Sequence, residues 1–240
     1  MTSALFDNAG MRALDAAALA LPEMAAGELM ERAGTALLEA VRRHWPQAQR
    51  LGILCGPGNN GGDGYVLARR AQAAGLAVCV HGAPSRARPE SDGRRAFRRW
   101  QEAGGGVQPL EAFDPDAADV WVDSLFGIGL ERPLTDAFES VIVGLNASRR
   151  PVLAADVPSG VDTDTGRILG CAVCADQTLT MIADKLGLHT GAAVDCAGEV
   201  EVATLDLPGS IAAGIDPVAR RIGPEDWRKD LPLRRPGAHK

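Results

Sequence analysis

The chain has 240 residues, of which 46% are hydrophobic and 4% aromatic, with a net charge of −6. That length allows one large or two small domains, with a core built on Ala, Val, Leu and Ile. The acidic balance argues against a general nucleic-acid or membrane-surface binder, and no apolar run is long enough to span a bilayer. The N-terminus lacks a basic segment followed by an apolar one. The odd number of cysteines shows no framework spacing, so reduced thiols and a cytoplasmic protein are expected.

Asn8 to Trp45 is helical in pattern. Met11, Leu14, Ala18 and Leu21 recur at helical spacing until Pro22. Leu29, Met30, Ala33, Leu37, Leu38 and Val41 form a second amphipathic stripe, closed by Pro46. Leu51 to Cys55 reads as a short apolar strand. It runs into Gly56-Pro-Gly-Asn-Asn-Gly-Gly-Asp-Gly64, and Tyr65 to Ala74 reads as a helix. Strand, glycine loop and helix is how α/β proteins turn backbone N–H groups toward a phosphate. The loop satisfies G-x-G-x-x-G. However, the second strand, Ala77 to His81, ends without the acid that holds a ribose hydroxyl in an ordinary dinucleotide fold, and no Gly-Lys-Ser/Thr makes the loop a P-loop. Asn59, Asn60 and Asp63 add polar groups beyond what a turn requires. Asp63 has two readings, a cap for the helix or a ligand contact. Arg86 could suit a 2′-phosphate but lies past a proline, and Arg86 to Arg99 is expected to be a solvated helix face.

Val120 to Ser124 and Val152 to Asp156 read as third and fourth strands. Gln177 to Ile182 and Val200 to Thr204 are later ones. Near-continuous apolar strands separated by helices imply a parallel sheet covered on both faces. The expected fold is therefore α/β: a three-layer α/β/α, Rossmann-like, doubly wound, mostly parallel sheet with N-terminal helices, forming one domain over residues 1–216. Past Asp216 the composition turns to prolines and basic residues, and residues 217–240 read as a linker. Cys171-Ala-Val-Cys174 matches a redox motif in spacing alone, and two buried thiols are expected there.

Two further loops begin at the carboxyl ends of strands, Asp123-Ser-Leu-Phe-Gly-Ile-Gly-Leu-Glu-Arg-Pro133 and Asp156-Val-Pro-Ser-Gly-Val-Asp162. Ligands of open parallel sheets bind outside those ends, so the three loops should converge on one crevice. Asp63, Asp123 and Asp156 would face it, with Asn60 and Ser159 as neutral oxygens. Asp162 is read as holding the turn around Gly160. A carboxylate that ends an apolar strand is costly to desolvate unless it is paired or bound to a cation. The histidines show no metal-ligand spacing, which argues against zinc. A hard cation held by Asn, Asp, Ser and backbone oxygens suits the donor set.

Laid out in this way, the sequence resembles the NAD(P)H-hydrate epimerase family, also called YjeF N-terminal domains. Four stretches carry the resemblance: Gly58-Asn-Asn-Gly-Gly-Asp-Gly64 with Val66, Ala68 and Arg69; Asp123 to Gly129; Asp156-Val-Pro-Ser-Gly-Val-Asp162; and Leu29-Met-Glu-Arg-Ala-Gly34. It covers roughly residues 8 to 210. The resemblance implies interconversion of the R and S forms of NADH or NADPH hydrated at C6 of the nicotinamide ring (NADHX and NADPHX), so that a dehydratase can act on the S form. It implies a potassium ion held by Asn60, Asp123 and Ser159 with backbone oxygens. It implies substrate contacts from Asn59, Asn60, Gly61, Gly62 and Asp63, from Gly127, Ile128, Gly129, Leu130, Glu131, Arg132 and Pro133, and from Asp156. Asp156 is the expected acid–base group. Lys185 aligns with a lysine usual in the family and is expected either to steady a phosphate or a carboxylate or to be solvated. A homodimer is a family-level expectation. The tail Leu231 to Lys240 resembles the junction to an ADP- or ATP-dependent dehydratase domain in bifunctional repair proteins, which implies, as an expectation, an N-terminal half of a longer protein. An NAD(P)-dependent oxidoreductase and a non-catalytic nucleotide-binding module remain as alternatives.

Overall fold

The computed structural model describes residues 4–82 and 91–223. In chain order the elements are β1 (Ala4–Phe6), α1 (Asn8–Leu19), α2 (Glu28–His44), β2 (Arg50–Cys55), α3 (Asn59–Ala73), β3 (Ala77–Gly82), α4 (Asp92–Glu102), β4 (Val120–Ser124), α5 (Asp136–Ala147), β5 (Val152–Ala155), β6 (Gln177–Met181), β7 (Asp184–Lys185), β8 (Glu199–Ala203) and β9 (Ala219–Arg220). Six strands form one sheet in the order β3-β2-β4-β5-β6-β8, all pairs parallel. The order reverses between β2 and β4, which opens a crevice at their carboxyl ends.

Both faces of the sheet are covered. On one, Leu37, Val41, Leu67, Ala71 and Trp100 of α2, α3 and α4 pack with Ile53, Val122 and Leu153 of the strands. On the other, Val141, Ile142 and Leu145 of α5 pack with Leu54, Trp121 and Val152. This is the expected α/β/α sandwich. The Asn8–Trp45 helical pattern resolves into α1 and α2. Asp7 caps α1 by accepting a 2.8 Å hydrogen bond from Gly10 N–H. Glu28 and Glu31 open α2 and Arg42, Arg43 and His44 close it, matching the helix dipole. Among the described residues no helix is long and apolar enough to cross a membrane.

Three elements depart from the sequence reading. The helix after β2 begins at Asn59, so most of the supposed glycine loop is the first two turns of α3. Asp63 therefore sits inside the helix, and its reading as a cap fails. The glycines serve close packing. A Cβ on Gly61 would lie 2.0 Å from the Gly56 carbonyl oxygen, and one on Gly62 would lie 2.6 Å from the Met30 sulfur. The chain also builds a small second sheet, β7-β1-β9, in which Phe6 is opposite Lys185 and Ala4 opposite Arg220. β9 lies within the segment read as linker, while 224–240, including the tail Leu231 to Lys240, fall outside the described residues, as does Arg86. Lastly, Cys174 is exposed rather than buried, and its sulfur lies 4.0 Å from that of Cys196.

Candidate active site

A cavity of about 490 Å³ opens where the carboxyl ends of the strands meet α1 and α2. Asn59, Asn60 and Asp63 reach it from α3, Gly127 to Leu130 from the loop after β4, Asp156 from the end of β5, and Lys185 from β7. Met11, Leu29, Met30, Phe126, Ile128, Met181 and Ile182 give it apolar walls. A larger cavity, about 600 Å³, lies between α2 and β8, lined by surface ion pairs such as Arg32–Glu28 and Arg43–Glu201.

Asp156 is the first residue past β5 because it turns the chain sharply, with φ at +70°. A left-handed aspartate persists only where its surroundings hold it, at a strain of about 1–3 kcal/mol. Here its N–H donates to the Leu179 carbonyl at 2.9 Å, and its Oδ1 accepts from Met181 N–H at 3.1 Å. Lys185 Nζ donates to the same Oδ1 at 2.7 Å. The ammonium also donates to Thr180 Oγ1 at 2.7 Å and approaches the Met181 carbonyl at 3.3 Å. Lys185 is 1% exposed, so the solvated reading of this lysine fails. Ile182 at φ +67° sits in the turn that aims it. The Asp156 Oδ2 carries no hydrogen bond among the described residues and would lie 3.1 Å from a Cβ on Gly127. A side chain at Gly127 would crowd that oxygen and oblige it to shift by a few tenths of an ångström.

The three loops are stitched together beneath this pair. Gly56 N–H donates to the Ser124 carbonyl at 3.0 Å, and Ser124 Oγ to the Asn60 carbonyl at 2.5 Å. Asp123 is fully buried. Its Oδ1 accepts from Ser159 Oγ at 2.7 Å and Leu125 N–H at 3.2 Å, and its Oδ2 from Ser159 N–H at 2.7 Å. Burial nevertheless pushes this carboxyl up to about 6, against those three donors. Ser159 Oγ in turn accepts from Phe126 N–H at 2.9 Å. Asn60 is the unfinished member: both its Oδ1 and its Nδ2 are buried without a partner. A buried amide left unsatisfied costs about 1–3 kcal/mol per group, so a ligand is expected against it.

Not every expected residue reaches the cavity wall. Gly61 and Gly62 are buried in helix packing. Glu131, Arg132 and Pro133 are exposed, with Glu131 3.8 Å from Arg12 of α1. Asp162 holds a turn, but the one that follows it rather than the one around Gly160: its Oδ1 accepts from the Asp164 and Thr165 N–H groups at 3.0 Å. Burial pushes the Asp63 carboxyl well up, and the charges of Asp156 and Asp15 push it further. Asp15 of α1, which the sequence reading missed, lines the same cavity. It is pushed up to about 6 by burial and by Asp156, with Lys185 opposing. The available signal was its place four residues from both Met11 and Leu19, the other cavity residues of α1.

Residues 26–187 match the model of the family described as YjeF-related protein N-terminus. The chain belongs to that family. Among YjeF-related proteins, it is 38% identical over 205 residues to the NAD(P)H-hydrate epimerase of Limosilactobacillus fermentum, covering 85% of this chain and 97% of that protein. It is 38% identical over 213 residues to the bifunctional NAD(P)H-hydrate repair enzyme Nnr of Escherichia coli, covering 89% of this chain but 41% of that protein. The chain thus spans less than half of the bifunctional relative and nearly all of the single-function one. A crystal structure of the yeast protein YNL200c has the same fold, with a TM-score of 0.74 at 23% identity over 90% of this chain and 95% of that one.

Proposed function

We propose that this YjeF-related chain is an isomerase, an NAD(P)H-hydrate epimerase that inverts C6 of hydrated NADH or NADPH. The observation that carries this reading is the buried Lys185 holding one oxygen of Asp156, while the other faces an apolar-walled cavity at the switch point of the sheet. The relatives named as epimerases support the same reading.

In the substrate the C6 hydroxyl is next to ring N1. The nitrogen lone pair expels it once the oxygen is protonated, leaving an iminium that water attacks. Asp156 Oδ2 is the free oxygen suited to give and take that proton. Lys185 and Met181 N–H fix the carboxyl through Oδ1, so the acid–base atom keeps its place between half-reactions. The apolar wall shields the iminium from stray water. Helix α3 has no side-chain cap, and its first residues, Asn59 and Asn60, line the cavity, so its free N–H groups are available to substrate phosphate.

A potassium ion fits the oxygen donors next to the cavity. Asn60, Asp123 and Ser159, with nearby carbonyls, would hold it, and Asn60 has both side-chain polar atoms unpartnered. Bound there, it supplies a fixed positive charge beside the phosphate-binding turn. The S-hydrate is then consumed by an ADP- or ATP-dependent dehydratase, which in a bifunctional full-length protein is part of the same chain. A cytoplasmic homodimer is the assembly that accompanies this reading.

The test is a coupled assay. The purified chain is mixed with R-hydrate and an S-specific dehydratase, and recovery of NADH is followed. Recovery well above spontaneous epimerisation is expected. Recovery equal to that background rejects the function.

A further inference from the structure

Inversion at C6 needs a proton carrier on each face of the ring. One carboxyl fixed through one oxygen addresses one face. Asp156 is so fixed, by Lys185 at 2.7 Å and Met181 N–H at 3.1 Å, and cannot swing across the ring. The second face therefore needs another group.

We infer that Asp15 of α1 is that group, a second catalytic carboxyl facing Asp156 from a different wall of the same cavity. The inference rests on the epimerase reading and extends it. Asp15 reaches the cavity with Met11 and Leu19 of its own helix, whereas Asp156 comes from the strand ends. No hydrogen bond or ion pair holds the Asp15 carboxyl among the described residues, so it is free to turn toward a ligand. The charged groups around it are Asp63 of α3, Asp156 and Lys185, while Arg12 on its own helix is near Glu131. Burial and the Asp156 charge hold its carboxyl at about 6, close to the range in which a group exchanges protons at neutral pH.

The step balances without any oxidant. One carboxylic acid gives its proton to the C6 hydroxyl. The C6–O bond breaks, its electron pair leaving with water, while the N1 lone pair closes the N1=C6 double bond. Water then adds to the opposite face, the double-bond pair returns to N1, and the carboxylate on that side takes the released proton. The two carboxyls end with their protonation states exchanged, and solvent resets them.

Epimerisation in ¹⁸O-labelled water tests this. The wild-type protein should incorporate label in step with inversion. In Asp15→Asn, inversion should fall at least about 100-fold. The epimer addressed by Asp156 should still exchange its hydroxyl oxygen with retention of configuration. Asp15→Glu, which restores the carboxyl, should recover part of the inversion. Inversion by Asp15→Asn at the wild-type rate overturns the proposal. So does joint loss of inversion and of all oxygen exchange in a variant that melts cooperatively and no lower than wild type. No inversion by the wild-type protein would reject the epimerase reading itself, separately from Asp15.

Discussion

Lys185 is a buried ammonium whose ion-pair partner among the described residues is Asp156. Breaking a buried ion pair by removing one partner costs about 3–5 kcal/mol, because the other charge is left uncompensated. Asp156→Asn should therefore lose stability as well as activity. A melting temperature lower by roughly 10 °C follows for a protein of this size, and inversion should drop by about 10²–10⁴. The double variant Asp156→Asn/Lys185→Met removes both charges and should regain most of the stability but none of the rate. Melting curves beside the coupled assay check both, and a single variant as stable as wild type would show that the pair carries no such load. Asp15 gives a different pH signature. Its carboxyl stands at about 6 in the fold against an ordinary 3.8, so the fold binds that proton more tightly than the unfolded chain does. The associated stability is complete below about pH 4 and is lost as pH rises through about 6. Asp15→Asn carries no such titration. Its melting temperature should rise relative to wild type between pH 4 and 7 and then hold level, while a constant difference across that range would mean that Asp15 is not perturbed.

At the level of elements, α3 shows why glycines cluster where they do. A Cβ on Gly61 would meet the Gly56 carbonyl at 2.0 Å, a backbone atom that cannot give way, whereas a Cβ on Gly58 meets nothing within 4 Å. Gly61→Ala should cost about 3 kcal/mol or more, as forced overpacking does. Gly58→Ala should leave the midpoint of urea unfolding nearly unchanged. Equal effects would mean that the segment is flexible rather than packed. The sequence revealed the strands of the main sheet to within a residue, because β2 to β5 are mostly apolar runs bounded by turn residues, while β6 and β8 alternate apolar residues with Thr or Glu. It misplaced the start of α3, since glycine and asparagine suggest a loop until the need for Cβ-free packing against β2 and Met30 is seen. β1, β7 and β9 have two or three residues each, too few to show a period. Asp123, Asp156 and Asn60 were legible because they sit at strand ends or in a glycine-rich motif. Asp15 was not, because an acid on an amphipathic helix looks like any solvated one until the cavity beside it is known.

Across the whole molecule, the site exists because parallel strands deliver three loops to one edge of the sheet. β2, β4 and β5 end side by side, and their loops are tied through Ser124, Asp123 and Ser159. The small β7-β1-β9 sheet sets Lys185 opposite Phe6, so the chain's N-terminal strand helps place the residue that holds Asp156. What these ties leave unmet at the site is the Asn60 amide, both of whose polar atoms are buried without a partner, while the buried Asp123 carboxyl has three hydrogen-bond donors but no ion pair among the described residues. A cation bound there stabilises the fold by mass action, by about 2.7 kcal/mol at a hundredfold excess over its Kd. Potassium chloride should accordingly raise the melting temperature by several degrees above tetramethylammonium chloride at equal ionic strength, since the organic ion is too large for the loops. Asn60→Ala removes an oxygen donor and should abolish most of that difference while keeping the ties made by Ser124 and Ser159. Identical melting in the two salts would refute the ion. A potassium effect of full size in Asn60→Ala would move the ion away from the three loops, leaving the buried amide to the substrate.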